Sequence, residues 1–322
     1  MVDTPQDLPT APVVVAEVVR SGFVEGHHHG SVLALAADGS RVLALGAVDA
    51  PVFPRSSNKP MQAVGMLEAG LDLDGELLAL ACASHSGEPF HVDGVRRVLA
   101  GAGLDESALQ TPPDYPVDEQ EKYAVLAAGG TKAPVLMNCS GKHAAMLATC
   151  VANGWPLDSY RDPGHPLQQQ LATTVARLAG EQVAATGVDG CGAPVLALSL
   201  AGLARAYVAI ATAPPGTPEH RVAEAIRQNP EWLGGTRRDV TALVRGVPGL
   251  IAKDGAEGVY AAALPDGRAV TLKVEDGGQR ARPPVMVAAL RALGGEAAVL
   301  GELAEGPVLG GGQPVGAVRA TF

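Results

Sequence analysis

The chain has 322 residues, of which 47% are hydrophobic and 3% aromatic, so it can bury one large core or two modest ones made of Ala, Val and Leu side chains. Its formal net charge of −10 argues against nucleic acid or an anionic membrane as a partner. Four cysteines are too few for a disulfide framework, and neither a secretory signal nor a membrane-spanning run is found. The composition therefore predicts a soluble cytoplasmic protein with reduced thiols.

The first third of the chain begins with strand patterns. Strand-like runs occur at 13–19, 31–37 and 41–46, and Asp38-Gly39 between the last two is a strong hairpin signal. These runs predict an antiparallel meander. The three consecutive histidines from His27 to His29, just before the second run, are interpreted as an exposed turn. The segment 76–83 is a short apolar run of buried type, which is interpreted as a strand that ends in polar residues.

The middle of the chain is predicted to be helical, and strand patterns return near the end. Helices are expected at 60–67, 91–101, 138–150, 165–179, 194–212 and 284–293, and strands at 250–253, 258–264, 268–274 and 315–322. The fold class predicted is α/β (α+β), with one antiparallel sheet built from both chain ends around a helical insertion. We expect a single domain, 1–322, with a sheet lobe at about 12–55 and 249–322 and a helical lobe at about 56–248.

A Ser-x-x-Lys motif stands where the first strands lead into the first helix. Ser56 and Lys59 are three residues apart, so they share one face of a helical turn. A neutral lysine amine beside a serine can take its proton as the hydroxyl attacks. Burial or a neighbouring cation such as Arg55 would favour the neutral amine. A helix cap with a solvated lysine explains the same residues, and Pro60 predicts that the helix starts there, with Lys59 in the entering turn.

Further polar segments follow apolar runs. Ser84 and His85 lie in one of these segments, which is interpreted either as a binding loop or as an ordinary turn. Two glycine-bearing loops contain cysteines and a lysine. They are interpreted either as a zinc site or as the positions of buried structural cysteines. The candidate ligands are Cys139, Lys142, Asp189 and Cys191. The spacing of glycines in the first of these loops does not match a phosphate-binding loop. Lys253, two residues before Gly255, is interpreted either as a lysine whose amine points over a cleft or as an exposed hairpin residue.

Together these segments resemble the asparaginase II family of rhizobial type, from about Val14 to Phe322. The segments are Arg55-Ser56-Ser57-Asn58-Lys59-Pro60-Met61-Gln62, Ala83-Ser84-His85-Ser86-Gly87-Glu88, Asn138-Cys139-Ser140-Gly141-Lys142-His143-Ala144, Gly187-Val188-Asp189-Gly190-Cys191-Gly192-Ala193-Pro194 and Lys253-Asp254-Gly255-Ala256-Glu257-Gly258. The resemblance implies an L-asparagine amidohydrolase with a fold similar to serine β-lactamases and serine-dependent glutaminases.

The resemblance also implies site residues and partners. It implies two serine-lysine pairs, Ser56 with Lys59 and Ser84 with Lys253, and a homodimer. The substrate-binding residues expected are Arg55, His85, Gly255, Ala256 and Glu257. The implied zinc ligands are Cys139, Lys142 and Cys191, with Asp189 close by, although the basic chemistry does not require the metal. No organic cofactor, nucleic acid or membrane partner is expected.

The mechanism expected is attack by a serine, Ser56 in preference to Ser84, on the side-chain amide carbon of asparagine, followed by release of ammonia and then of aspartate by water. Three alternatives stay open. A serine-dependent glutaminase has the same chemistry, and a β-lactamase-like acyl-serine hydrolase also uses Ser-x-x-Lys, although it acts outside the cytoplasm. A zinc-stabilised binding module would hold the metal and release no ammonia.

Overall fold

The computed structural model describes residues 11–322. Its strands are β1 (Val13–Arg20), β2 (Phe23–Leu35), β3 (Arg41–Leu45), β4 (Pro51–Val52), β5 (Thr186–Val188), β6 (Pro194–Leu196), β7 (Leu198–Ser199), β8 (Ile251–Asp254), β9 (Val259–Ala263), β10 (Ala269–Val274), β11 (Glu305–Gly310) and β12 (Gln313–Ala320). Its α-helices are α1 (Lys59–Glu68), α2 (Gly75–Ala81), α3 (Pro89–Gly101), α4 (Glu119–Ala127), α5 (Ser140–Asn153), α6 (Pro166–Ala179), α7 (Leu200–Ala211), α8 (Pro218–Gln228), α9 (Pro230–Leu233), α10 (Asp239–Gly246), α11 (Arg282–Ala292) and α12 (Val299–Glu302). Short 3₁₀ helices lie at Arg55–Asn58, Glu106–Ala108, Pro134–Leu136 and Gln279–Ala281.

One antiparallel sheet of eight strands is formed from both ends of the described chain. Its order is β11-β12-β1-β2-β10-β9-β8, and β3 pairs with β2. In the pairing of β1 with β12, Glu17 lies opposite Arg319. The second half of β2 pairs with β10 on one side and β3 on the other. The predicted class, an antiparallel sheet from both chain ends combined with a set of helices, is confirmed.

Helices cover the middle of this sheet. Both α7 and α11 pack on β10, whose residues are buried along almost the whole strand. Side chains such as Leu33, Val270 and Leu272 are fully buried there and join one core that continues into the helices. Because a strand buried on both faces has no water-facing side, the alternation expected for a half-buried strand is lost in β9 and β10.

Several local predictions were wrong. The three histidines lie within β2, where alternation places His28 inside, with its Nδ1 2.7 Å from Asp276 Oδ2, while His27 and His29 are exposed. The apolar run at 76–83 is helix α2, since short apolar runs do not distinguish helix from strand. The expected helix 194–212 begins with β6 and β7, and only Leu200–Ala211 is helical.

Candidate active site

The Ser-x-x-Lys motif forms the junction between a 3₁₀ helix and α1. Arg55–Asn58 is the 3₁₀ helix, and α1 begins at Lys59, one residue earlier than predicted, because the ring of Pro60 lies in the first helical turn, where no N–H is required. A 3₁₀ helix has three residues per turn, so Ser56 and Lys59 lie on the same side. Ser56 is 8% exposed and Lys59 only 1%, which excludes a solvated lysine.

The Lys59 amine connects three of the segments singled out in the sequence. Its Nζ donates to Ala83 O at 2.5 Å and Ser84 Oγ at 3.0 Å, and it lies 3.1 Å from Cys139 Sγ. These contacts match the three donors of a lysine ammonium group. The hydroxyl of Ser84 and the thiol of Cys139 therefore meet at one buried amine, although they are far apart in the sequence.

The observed contacts differ from the pairing that the resemblance implies. Within residues 11–322 no hydrogen bond joins Ser56 Oγ to Lys59 Nζ or Ser84 Oγ to Lys253 Nζ. Lys59 reaches across to Ser84 instead, and Lys253 Nζ donates to Asp254 O at 2.7 Å and Asp254 Oδ1 at 2.5 Å, because the carboxylate of its neighbour is the nearest acceptor. Ser57, next to Ser56, donates its hydroxyl to Lys253 O at 3.0 Å and so ties the motif to β8.

Lys253 is completely buried rather than exposed in a hairpin. Burial lowers the pKa of its amine to about 8, and the adjacent Asp254 carboxylate opposes this change. A lysine with such a pKa is partly neutral near pH 8, which a proton acceptor requires. The structure therefore places two buried amines in this region, each held by a different set of acceptors.

Cys139, Lys142 and Cys191 form a compact cluster beside Lys59. Lys142 Nζ lies 3.3 Å from Cys191 Sγ. A hydrogen bond from Cys139, with Lys142 nearby, lowers the pKa of the Cys191 thiol strongly, whereas the same bond and burial raise that of Cys139. Burial by itself would lower the pKa of Lys142, but the facing sulfurs of Cys191 and Cys139 raise it. Cys191 is thus the cysteine of the cluster that favours the thiolate form, with the Lys142 amine beside it.

The donors of this cluster fit a zinc ion only if lysine takes part. No group of three His, Cys, Asp or Glu side chains within the described 11–322 could hold a metal. The thiols of Cys139 and Cys191, however, lie in one buried cluster with Lys142 Nζ 3.3 Å from Cys191 Sγ, and sulfur and nitrogen are donors that zinc accepts. Asp189 Oδ2 lies 4.0 Å from Cys191 Sγ, while Oδ1 of the same carboxylate accepts from Arg55 Nε at 2.8 Å.

Arg55 connects the loops around the site. Besides its bond to Asp189, its Nη1 lies 3.8 Å from Glu257 Oε1. Arg55 and Glu257 have φ values of +50° and +56°, in the left-handed region that non-glycine residues seldom occupy. Such backbone conformations persist where the surrounding structure enforces them, often at functional sites. The backbone at Gly255 can lie close to the backbone at Pro54 only because it is glycine, since a Cβ there would lie 2.7 Å from Pro54 O.

The remaining predicted substrate residues lie at different depths. Ala256 follows Gly255 and is half-buried. His85 is fully buried, and its Nε2 lies 2.8 Å from Ser140 Oγ. Burial lowers the pKa of His85 well below its usual value, so the ring is neutral. His85 therefore lies in the interior, in contact with the first turn of α5.

Two arginines near Lys253 were missed in the sequence. Arg238 Nη2 lies 2.6 Å from Asp254 Oδ2, and Arg282 Nη1 lies 3.4 Å from the same oxygen. Asp254 belongs to a quoted motif but had no role assigned. Arg238 lies in the stretch 214–249, in which no element was predicted, although α8, α9 and α10 lie there. The one sequence signal for this network is Lys253 followed directly by Asp254 in a segment with the pattern of a buried strand.

Several solved structures are similar to this chain at low sequence identity and with TM-scores below 0.5. A β-lactamase from Mycobacterium bovis is 12% identical with a TM-score of 0.48, the alignment covering 82% of this chain and 94% of that one. A putative β-lactamase from Bacteroides dorei is 16% identical with a TM-score of 0.44, covering 83% and 94%. EstCE1, a hydrolase with promiscuous acyltransferase activity, is 15% identical with a TM-score of 0.41, covering 83% and 93%. Curated proteins give no match.

Family membership defines this protein as an amidohydrolase of asparaginase type. The model of the L-asparaginase II family matches residues 16–320, nearly the whole chain. The chain belongs to the L-asparaginase II family, as the resemblance predicted. No helix within 11–322 is both long and apolar enough to cross a membrane.

Proposed function

We propose that this amidohydrolase is an L-asparaginase, which converts L-asparagine to L-aspartate and ammonia through serine and lysine side chains. The observation that carries the proposal is the buried amine of Lys59, 3.0 Å from Ser84 Oγ and three residues after Ser56. A nucleophile-base system needs a hydroxyl within hydrogen-bond reach of a base that is sheltered from water. Family membership supports an amide as the bond that is cleaved.

Ser56 is assigned the attacking hydroxyl. Within the described part of the chain its Oγ has no hydrogen-bond partner, and the residue is slightly more exposed than Ser84, at 8% against 5%. Its proton passes to the deprotonated amine of Lys59 as Oγ bonds to the side-chain amide carbon, and the carbonyl electrons move to the oxygen. A positioned base contributes about a hundred- to ten-thousandfold to such a step.

Ser84 is assigned the transfer of a proton to the leaving group. Its hydroxyl, bonded to Lys59, gives its proton to the amide nitrogen and takes one back from the amine. The carbon–nitrogen bond then breaks, and ammonia leaves. Water attacks the acyl carbon next, and a lysine amine takes its proton. The bond from this carbon to Ser56 Oγ then breaks, Ser56 Oγ takes the proton from the lysine, and aspartate is released. Lys253 is the second such amine, and its lowered pKa supports that role.

Arg55 and Glu257 are assigned the charged ends of the substrate. A guanidinium group suits the α-carboxylate of asparagine, and the Glu257 carboxylate suits the α-amino group. Zinc, when bound, would be held by Cys139, Cys191 and Lys142 with Asp189 beside them. It would supply positive charge and connect the start of α5 to the loop between β5 and β6. The homodimer and the cytoplasmic location stay predictions.

The experiment is ammonia release by the purified protein from asparagine and from glutamine. We expect release from asparagine, and loss of at least about a thousandfold in kcat for Ser56→Ala and Ser84→Ala. Ser57→Ala is the matched control, since its hydroxyl bonds a backbone oxygen, and it should keep more than about a tenth of the activity.

The same assay separates the alternatives. Faster release from glutamine would indicate a serine-dependent glutaminase, while labelling by a fluorescent penicillin would indicate a β-lactamase-like acyl-serine hydrolase. Bound zinc without ammonia release from either amide would indicate a zinc-stabilised binding module. More than about a tenth of the activity in Ser56→Ala would remove Ser56 as the nucleophile.

A further inference from the structure

A buried network of charges surrounds Lys253. Asp254, which is 3% exposed, uses its two carboxylate oxygens for different partners. Oδ1 accepts from Lys253 Nζ at 2.5 Å, and Oδ2 accepts from Arg238 Nη2 at 2.6 Å. Arg282 is 3.4 Å from Oδ2 and donates to Gly255 O at 2.6 Å. The carboxylate is therefore shared between an amine and two guanidinium groups.

Further titratable groups surround this network. Lys59 on α1 faces it, while Asp239 at the start of α10 lies near Arg238 and Arg282. Burial raises the pKa of the Cys82 thiol to about 12, and it also raises the pKa values of Tyr207 and Tyr260. All three groups are therefore neutral near pH 7. With Lys59 in its proton-accepting form, three cations, Lys253, Arg238 and Arg282, thus share the carboxylates of Asp254 and Asp239.

A buried excess of positive charge is relieved most easily where a cation can lose a proton. The two arginines stay charged at any accessible pH, whereas a lysine amine can become neutral. A carboxylate paired only with Lys253 would hold the ammonium form. A carboxylate already shared with Arg238 holds it less strongly, because the guanidinium repels the ammonium across the same group.

We propose that Arg238 is a positioning residue that acts on Lys253 through Asp254: it occupies Oδ2, so that Oδ1 fixes the amine while its hold on the amine's proton is weakened. The role rests on the proposed function, in which Lys253 accepts a proton. Its removal changes the pH at which the enzyme becomes active, which simple loss of packing would not do.

The test compares two neighbouring arginines. Arg237 has a 38% exposed side chain and bonds Asp118 and Glu121, while that of Arg238 is 19% exposed and bonds Asp254. Arg238→Met and Arg237→Met therefore remove the same charge one residue apart. We expect Arg238→Met to move the acid limb of the kcat/KM profile for asparagine to higher pH by about one unit. At pH 7 this is a loss of about tenfold, which disappears above about pH 10. Arg237→Met should leave the limb in place.

Asp254→Asn should shift the acid limb in the opposite direction. It removes the carboxylate that stabilises the ammonium, so the acid limb should move to lower pH. Arg238→Gln, which keeps a hydrogen-bond donor without the charge, replaces the methionine variant should that protein not fold.

Three outcomes would overturn the role. The first is a folded variant with an uncharged residue at position 238 whose kcat/KM profile keeps its acid limb at the wild-type pH. The second is a shift of the limb in Arg237→Met as large as that in Arg238→Met. The third is a wild type that hydrolyses neither amide, which also removes the proposed function. An active wild type with an unshifted variant removes the positioning role alone.

Discussion

The amine of Lys59 lies 3.0 Å from the hydroxyl of Ser84, although one belongs to the first turn of α1 and the other follows α2. This contact means that the motif at the start of α1 is incomplete without the chain segment 25 residues later. Loss of either side chain should therefore affect the same proton transfer rather than two independent ones.

Replacement of Lys59 tests this connection. We expect Lys59→Met, which keeps most of the volume, to lower kcat for asparagine by about a thousandfold or more, because the amine is the only base in contact with Ser84 within the described residues. The double variant with Ser84→Ala should be little worse than either single variant. Ammonia release gives the rates, and Lys122→Met, at an exposed position, is the control. Additive losses in the double variant would contradict a shared step.

The pH dependence of the reaction follows from Lys253. Its amine must be neutral to accept a proton, and its pKa is lowered to about 8 by burial. Below that pH the amine is protonated and inactive as a base, so kcat/KM should fall about tenfold per pH unit. Above it the profile should level. A profile that stays flat from pH 6 to 9 would exclude Lys253 as a base.

Arg55 holds two loops and is the proposed partner of the substrate carboxylate. We expect Arg55→Lys to raise KM for asparagine by about tenfold or more, since a lysine cannot reproduce the fork that bonds Asp189. The melting temperature should change little, because the pair is partly exposed. Arg96→Lys, in an exposed pair with Glu106, is the control. An unchanged KM would remove Arg55 from the binding site.

Zinc binding can be measured directly. We expect about one zinc ion per chain by elemental analysis after reconstitution, and a higher melting temperature with metal. Cys191→Ser should weaken the affinity by about a hundredfold, while Cys150→Ala, distant from the cluster, should not. Chelation should lower turnover at saturating asparagine without abolishing it. Equal zinc content in wild type and Cys191→Ser would contradict the assignment.

Gly141 has a packing role in its motif. A Cβ at this position would lie 2.5 Å from Leu80 O, so α5 can approach α2 only with glycine there. Gly141→Ala should lower the free energy of unfolding by about 1–3 kcal/mol. Gly101, at the end of α3, has open space around its Cβ position, and Gly101→Ala should stabilise by up to about 1 kcal/mol. Urea denaturation of both variants provides the comparison.

Much of the sheet could be predicted from local patterns. Asp38-Gly39 and Pro265-Asp266-Gly267 mark hairpins by turn chemistry, and both pairs of strands are present. The first half of β2 was missed, because histidines and glycines between Phe23 and Gly30 hide the alternation. Strand β11 was also missed, since Glu305–Gly310 pairs only with β12 and is largely exposed.

The site was predicted as a set of segments but not as a set of contacts. A family resemblance identifies Lys59 and Lys253, yet which serine each amine meets depends on how α1, α2 and β8 pack. Local spacing favoured Ser56 as the partner of Lys59. The amine instead reaches Ser84, which only tertiary structure reveals. The same holds for Arg238, whose partner Asp254 is 16 residues away on another element.

The pairing of β1 with β12 has a consequence for how the protein is made. Arg319 reaches Glu17 across 302 positions of sequence, so the first strand emerges from the ribosome long before its neighbour exists. Until then the β1 edge is open to pairing with other chains. Assembly of the sheet is thus a late, slow event, and a chaperone that shields the nascent amino-terminal hairpin should raise the yield of native enzyme.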